Sequence, residues 1–109
     1  MYIPDKGDIV SLDFDPSAGK EIMKRRPAYV ISQKLFNEHT GFAVLAPITS
    51  TVRNMQLEIV LPDELSTDGA ILMHQMKSLD FENRKIEFIE KASVKVVAKA
   101  ASIARAIIS

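Results

Sequence analysis

The chain has 109 residues, enough for one folding domain with one modest core. Hydrophobic residues make up 47% and charged residues 26%, ordinary globular values that argue against disorder. Cysteine is absent, which excludes disulfide staples, thiolate metal sites and thiol nucleophiles. Fourteen basic residues cancel fourteen acidic ones, so no uniformly basic surface marks a nucleic-acid partner.

The opening Met1-Tyr2-Ile3-Pro4-Asp5-Lys6 lacks the basic region and apolar run of a signal peptide. No apolar stretch approaches the roughly 20 residues that span a bilayer. A cytoplasmic protein is the expectation. Asp8–Asp15 reads as a strand, because Val10, Leu12 and Phe14 alternate with Ser11 and Asp13. Asp15-Pro16 ends it, and residues 16–25 form a polar loop with Gly19. Pro27–Ser32 is a second strand, apolar enough to be buried on both faces. Gln33–His39 is one or two helical turns closed by Thr40-Gly41.

Phe42–Ile48 is a third strand, running into the hydroxyl-rich Thr49-Ser50-Thr51. In Gln56–Leu61, alternation sets Leu57, Ile59 and Leu61 on one face. Asp68-Gly69 signals a turn before a strand that starts at Ala70, and Met76–Leu79 and Ile86–Ile89 are weaker strand signals. From Ala92 to Ile107 the period changes. Val94, Val97, Ala98, Ala101, Arg105 and Ile108 recur at three- and four-residue steps, an amphipathic helix with Ser93 at its N-cap. The expected fold is α+β and mainly β: a small antiparallel barrel or curled sheet, a short internal helix and a C-terminal amphipathic helix, in one domain over residues 1–109. With one long helix, parallel βαβ units are not expected.

Few chemistries have support. The four glycines are dispersed and build no nucleotide-binding loop. His39 and His74 stand far apart, outside any metal-ligand spacing, so no metal or cofactor is expected. Asp13 and Asp15 share one strand face, which suits outward polar positions. The balanced charge hides a local cluster, since Lys20, Lys24, Arg25 and Arg26 fall within seven residues. Glu21 precedes Arg26 by five residues, and Arg26-Pro27 opens an apolar strand. An arginine at a strand mouth can hold two phosphate oxygens from a rigid base, although such a loop also reads as solvated surface.

The ordered blocks Gly7-Asp8-Ile9-Val10, Asp13-Phe14-Asp15-Pro16, Gly19-Lys20-Glu21 and Arg26-Pro27-Ala28-Tyr29-Val30-Ile31-Ser32 are followed by Phe36-Asn37, Thr40-Gly41 and Ala46-Pro47-Ile48-Thr49. Asp68-Gly69-Ala70 and Gln75-Met76-Lys77-Ser78-Leu79-Asp80 complete the set. In this order and spacing the chain resembles the MazF/PemK/Kid toxins, the ribonuclease half of bacterial toxin–antitoxin pairs. The resemblance implies an SH3-like barrel of the CcdB/PemK kind, a homodimer and an endoribonuclease. Such an enzyme cleaves single-stranded RNA to a 2′,3′-cyclic phosphate and a 5′-hydroxyl without a metal, and a cognate antitoxin with an acidic segment inhibits it. Position by position, the resemblance sets Glu21 on the general base, Arg26 on the essential arginine and Thr49 on the threonine near the scissile phosphate.

The chemistry is coherent. RNA supplies its own nucleophile, a carboxylate can take the 2′-hydroxyl proton, and a guanidinium can stabilise charge growing on the phosphorane. A guanidinium is a poor acid at neutral pH, so the proton donor stays unassigned. Thr49 has a second reading, a hydroxyl that bonds a turn backbone. Lys20, Lys24, Arg25, Ser50, Thr51, His74, Gln75 and Lys77 are the candidate RNA-binding residues. His74 stands where several relatives have Asp, and Lys20 where some have His, which bears on the cut motif. Two other classes compete. A CcdB-like topoisomerase poison shares the barrel, but its activity uses a C-terminal Trp-Gly-Ile, and this chain has no tryptophan and ends Ile107-Ile108-Ser109. A non-catalytic barrel that binds RNA or peptide is the other, disfavoured by Glu21, Arg26 and Thr49 occurring together.

Overall fold

The computed structural model describes residues 1–15 and 24–109, with the backbone alone at Asp15 and Lys24. Among the described residues seven strands and two α-helices follow one another. Strand β1 is Asp8–Asp15, β2 is Lys24–Val30 and α1 is Lys34–Thr40. Strand β3 is Ala43–Thr49, β4 is Glu58–Val60 and β5 is Ala70–Leu72. A 3-10 turn at Met73–Gln75 leads to β6 (Lys77–Leu79), a second at Phe81–Arg84 leads to β7 (Glu87–Lys91), and α2 is Val94–Ile108.

Among the described residues the strands pair antiparallel, in the order β4-β5-β3-β2-β1-β7. The long strand β3 is the spine. Its first half pairs with β6 through Ala43 to Leu45, and its end pairs with β5 at Ile48 and Thr49. This change of partner curls the sheet toward a barrel. Among the described residues β4 and β7 do not pair, so the barrel is open rather than a closed ladder.

Alternation on the central strands divides the core in two. Ile9, Tyr29, Ala46, Ile48, Ile59 and Ile71 face α2, whose Val96, Ala100 and Ala104 seal that side. Val10, Leu12, Ala28, Val30, Leu45 and Phe81 fill the other side. The expectation that the second strand is buried on both faces therefore holds at Ala28, Tyr29 and Val30. That strand begins at Lys24 rather than Pro27, because β1 continues to Asp15 and pairs with it across a register shift. The expected helices are present, α2 with the Ser93 hydroxyl accepting from the Val96 amide and α1 closed by Gly41 at φ 74°. The buried face of α2 is not the expected stripe, however: Val96, Ala100 and Ala104 meet the sheet, and Val94, Ala98, Arg105 and Ile108 are exposed, because the sheet covers the neighbouring face of the helix. Leu57 is exposed and precedes β4, while Ile59 and Leu61 are buried.

Polar contacts tie the ends to this core. The buried Asp8 carboxylate accepts from the Tyr2 hydroxyl and the Asp5 amide, and Lys91 meets it at 2.6 Å. Burial, then the Asp8 charge, pushes the Tyr29 phenol up to about 12. Fully buried Asn37 donates to the carbonyls of Pro4 at 2.7 Å and Ser32 at 3.1 Å, which anchors α1.

Candidate active site

Strand β2 separates two adjacent arginines. Arg26 stands opposite Leu12 and Arg25 opposite Asp13, so the pleat sends their side chains to opposite faces. The Arg25 guanidinium is taken up there. It meets the Glu87 carboxylate at 2.6 Å and Asp13 at 3.6 Å, and donates to the Lys85 and Ser11 carbonyls. Arg26 instead lines an open pocket of about 350 Å³.

Three further segments converge on that pocket. Thr49 and Thr51 come from the end of β3 and the turn beyond it. The Thr49 hydroxyl accepts the Thr51 amide at 3.2 Å, so the turn-bonding reading of Thr49 is correct and coexists with its place in the pocket. Gly69 backs this turn at φ +117°, where a Cβ would lie 2.0 Å from the Thr49 carbonyl oxygen. His74 and Gln75 come from the 3-10 turn after β5, where fully buried Met73 anchors the turn and leaves its two neighbours exposed. Their side-chain nitrogens lie 3.5 Å apart.

The fourth segment was not singled out from the sequence. Arg53, Met55 and Glu58 also line the pocket, and Leu72 completes its wall. Glu58 is 5% exposed, although alternation alone would place it on the outer face of its strand. One of its carboxylate oxygens accepts the Arg53 amide at 3.1 Å, and the other has no hydrogen-bond partner among the described residues. The sequence offered one signal for Glu58, a lone acid between apolar residues of an alternating run. It offered none for Arg53, which sits in an irregular segment.

The other candidates lie elsewhere. Lys77 stands on β6 with its ammonium 4.8 Å from the centre of the Phe14 ring. Ser50 is exposed in the turn beside Thr49 but does not line the pocket. Lys20, Glu21 and the Lys24 side chain lie outside the described residues. Among the described residues no group of three His, Asp or Glu side chains could hold a metal ion. The pocket thus presents two guanidiniums, two hydroxyls, an imidazole, an amide and one buried carboxylate. That set can grip a phosphate and bond the groups next to it.

Comparisons with known proteins agree with this geometry. The family model described as PemK-like, MazF-like toxin of type II toxin–antitoxin system matches residues 5–108. The endoribonuclease toxin MazF of Escherichia coli (strain K12) is 37% identical over 83 residues, covering 76% of this chain and 74% of that protein. The endoribonuclease toxin ChpB of the same strain is 34% identical over 101 residues, covering 88% of this chain and 86% of that protein. Among solved structures, a MazE–MazF complex from Deinococcus radiodurans superimposes with a TM-score of 0.90 at 34% identity, over 99% of this chain and 97% of that one. With the matched span running almost end to end and the fold shared throughout, the chain belongs to the PemK-like, MazF-like toxins of type II toxin–antitoxin systems.

Proposed function

We propose that this protein is an endoribonuclease toxin that cuts single-stranded RNA, selectively and without a metal, and is silenced by a cognate antitoxin. The observation that carries the reading is one pocket. It gathers Arg26, Thr49, Thr51, His74 and Gln75, which are up to 49 positions apart in sequence, in a chain whose relatives are named endoribonucleases.

In the proposed reaction the ribose 2′-oxygen attacks the adjacent phosphorus. Its proton passes to Glu21, a new O–P bond forms, and the bond from phosphorus to the 5′-oxygen breaks. The products are a 2′,3′-cyclic phosphate and a 5′-oxygen that takes up a proton. Arg26 stabilises the charge on the phosphorane, a contribution that grows because the donor is held on a strand. The Thr49 hydroxyl orients a phosphate oxygen. His74 and Gln75, exposed on their turn, read base edges, and an imidazole that accepts and donates selects differently from a carboxylate that only accepts. Lys20 and Lys24 add attraction for the strand.

Two copies pair into one RNA groove, in the cytoplasm. Structures of MazE–MazF complexes support the antitoxin partner. That partner covers the groove with an acidic, apolar segment. No described helix is long and apolar enough to cross a membrane.

The test is cleavage of a single-stranded RNA pool in excess EDTA, with sequencing of the new 5′-hydroxyl ends. Cutting at a defined motif is expected, together with complete block when the 2′-hydroxyl at the cut position is replaced by hydrogen. Loss of activity in EDTA overturns the metal-free mechanism, and cutting of the deoxy-substituted strand overturns the nucleophile.

A further inference from the structure

Arg53 has a position that no role above uses. It is exposed, it lines the same pocket as Arg26, and among the described residues neither an ion pair nor a hydrogen bond engages its guanidinium. The contrast is with Arg25 and Arg84. Arg25 is consumed by Asp13 and Glu87, and Arg84 by Asp80 and by the carbonyls of Asp13 and Phe14.

The backbone that carries Arg53 is held despite lacking regular structure. The Glu58 carboxylate accepts the Arg53 amide at 3.1 Å, the Glu58 amide donates to the Met55 carbonyl at 3.1 Å, and Asn54 between them takes the left-handed conformation at φ 54°. These bonds close a tight turn on the first residue of β4. A nearly buried carboxylate is an expensive way to close a surface turn, since burying a charge costs free energy unless it is well bonded. Its second oxygen goes unbonded among the described residues, which raises that cost. The arrangement is explained if the fixed position of Arg53 matters.

We propose that Arg53 holds a second backbone phosphate of the bound RNA, next to the scissile one held by Arg26, and that Glu58 is the positioning residue that keeps Arg53 over the pocket. The ligand chemistry is a phosphodiester oxygen pair, which the planar guanidinium fork matches. Two fixed cations at neighbouring phosphates set the strand's register, so that the pocket receives one particular linkage. This inference rests on the endoribonuclease reading.

The experiment measures binding of a single-stranded RNA made uncleavable by one 2′-deoxy substitution, across a salt series, for the wild type and for the Arg53→Ala, Glu58→Ala and Glu58→Gln variants. Arg53→Ala is expected to weaken binding roughly tenfold, as for the loss of a hydrogen bond to a charged group. It should also flatten the slope of log K against log salt by about 0.7, the release of one counterion from a single strand. Replacing one phosphate beside the cut with a neutral methylphosphonate should weaken wild-type binding by the same factor and leave Arg53→Ala unaffected. Glu58→Ala should reproduce the flattened slope, with KM raised more than kcat is lowered. Glu58→Gln keeps an acceptor for the Arg53 amide and should restore both.

A wild-type slope in folded Arg53→Ala, or equal sensitivity of both proteins to the methylphosphonate, overturns the phosphate assignment. A full slope in Glu58→Ala overturns the positioning role. Failure of the wild type to cut any RNA overturns instead the reading on which both rest.

Discussion

Gly69 and Thr49 are packed backbone to backbone. A Cβ on Gly69 would stand 2.0 Å from the Thr49 carbonyl oxygen and 2.9 Å from its carbonyl carbon. The turn that precedes β5 thus rests directly on a residue that lines the pocket, and Gly69 closes it further by accepting the Leu61 amide at 2.9 Å.

Gly69→Ala should therefore damage both stability and activity. At φ +117° a side chain is strained, and the methyl group meets backbone that cannot swing aside. Urea unfolding should show a loss of about 2 kcal/mol or more. Because Thr49 moves with the clash, the cleavage rate of the folded fraction should fall roughly 10- to 100-fold. A variant that loses stability but keeps the full rate would show that Thr49 tolerates displacement.

The two neighbouring arginines should separate rate from stability. Arg26→Ala is expected to lower kcat/KM by roughly 10²-fold, as when a charge-stabilising donor is removed. Arg25→Ala breaks the bridge from β2 to Glu87 and leaves Asp13 without its cation, so the unfolding midpoint should fall, with a stability loss of about 1 kcal/mol for a partly exposed pair. Thermal denaturation and single-turnover cleavage of the two variants check the division.

Glu90 should shape the acid limb of stability. Hydrogen bonds from the Thr67 hydroxyl first, then from the Ser66 amide and hydroxyl and the Thr67 amide, outweigh its desolvation and lower the carboxyl to about 2. A carboxyl lowered on folding contributes stability that is complete above its unfolded value, 4.5, and is lost as pH falls from there toward about 2. Glu90→Gln should lose stability at neutral pH and show a flatter decline across that window. Matching acid-unfolding curves would mean that Glu90 does not pin residues 66 and 67 to β7 in solution.

In solution the protein should have twice the chain mass of 12.1 kDa. Leu35 is 70% exposed and Ile108 76%, apolar surface that a second copy can cover, and two-fold pairing is the commonest arrangement of small oligomers. Light scattering at micromolar concentration measures this, and a monomer there would argue for a one-barrel RNA site.

The elements themselves were legible in the residues, because period two in Val10, Leu12 and Phe14 is a local consequence of which face is buried, and the three-to-four period of residues 94–108 marked a helix, although not which of its faces the sheet would cover. Arg26, Thr49 and Gln75 were singled out through the ordered blocks of a resembling family, and His74 as a departure from that family beside the Gln75 block. Tertiary structure alone decided the rest. Which arginine of β2 bridges to Asp13 and Glu87 and which lines the pocket depends on the pleat, and on what β1 and β7 place opposite, so Arg25 and Arg26 looked alike in sequence. Glu58 looked like an outward acid because alternation reports which face of a strand a residue takes, not what later covers that face. The turn at residues 53–55 and the Met73–Gln75 turn cover it, and they are brought there by pairings of β4 with β5 and of β5 with β3 that no local pattern encodes.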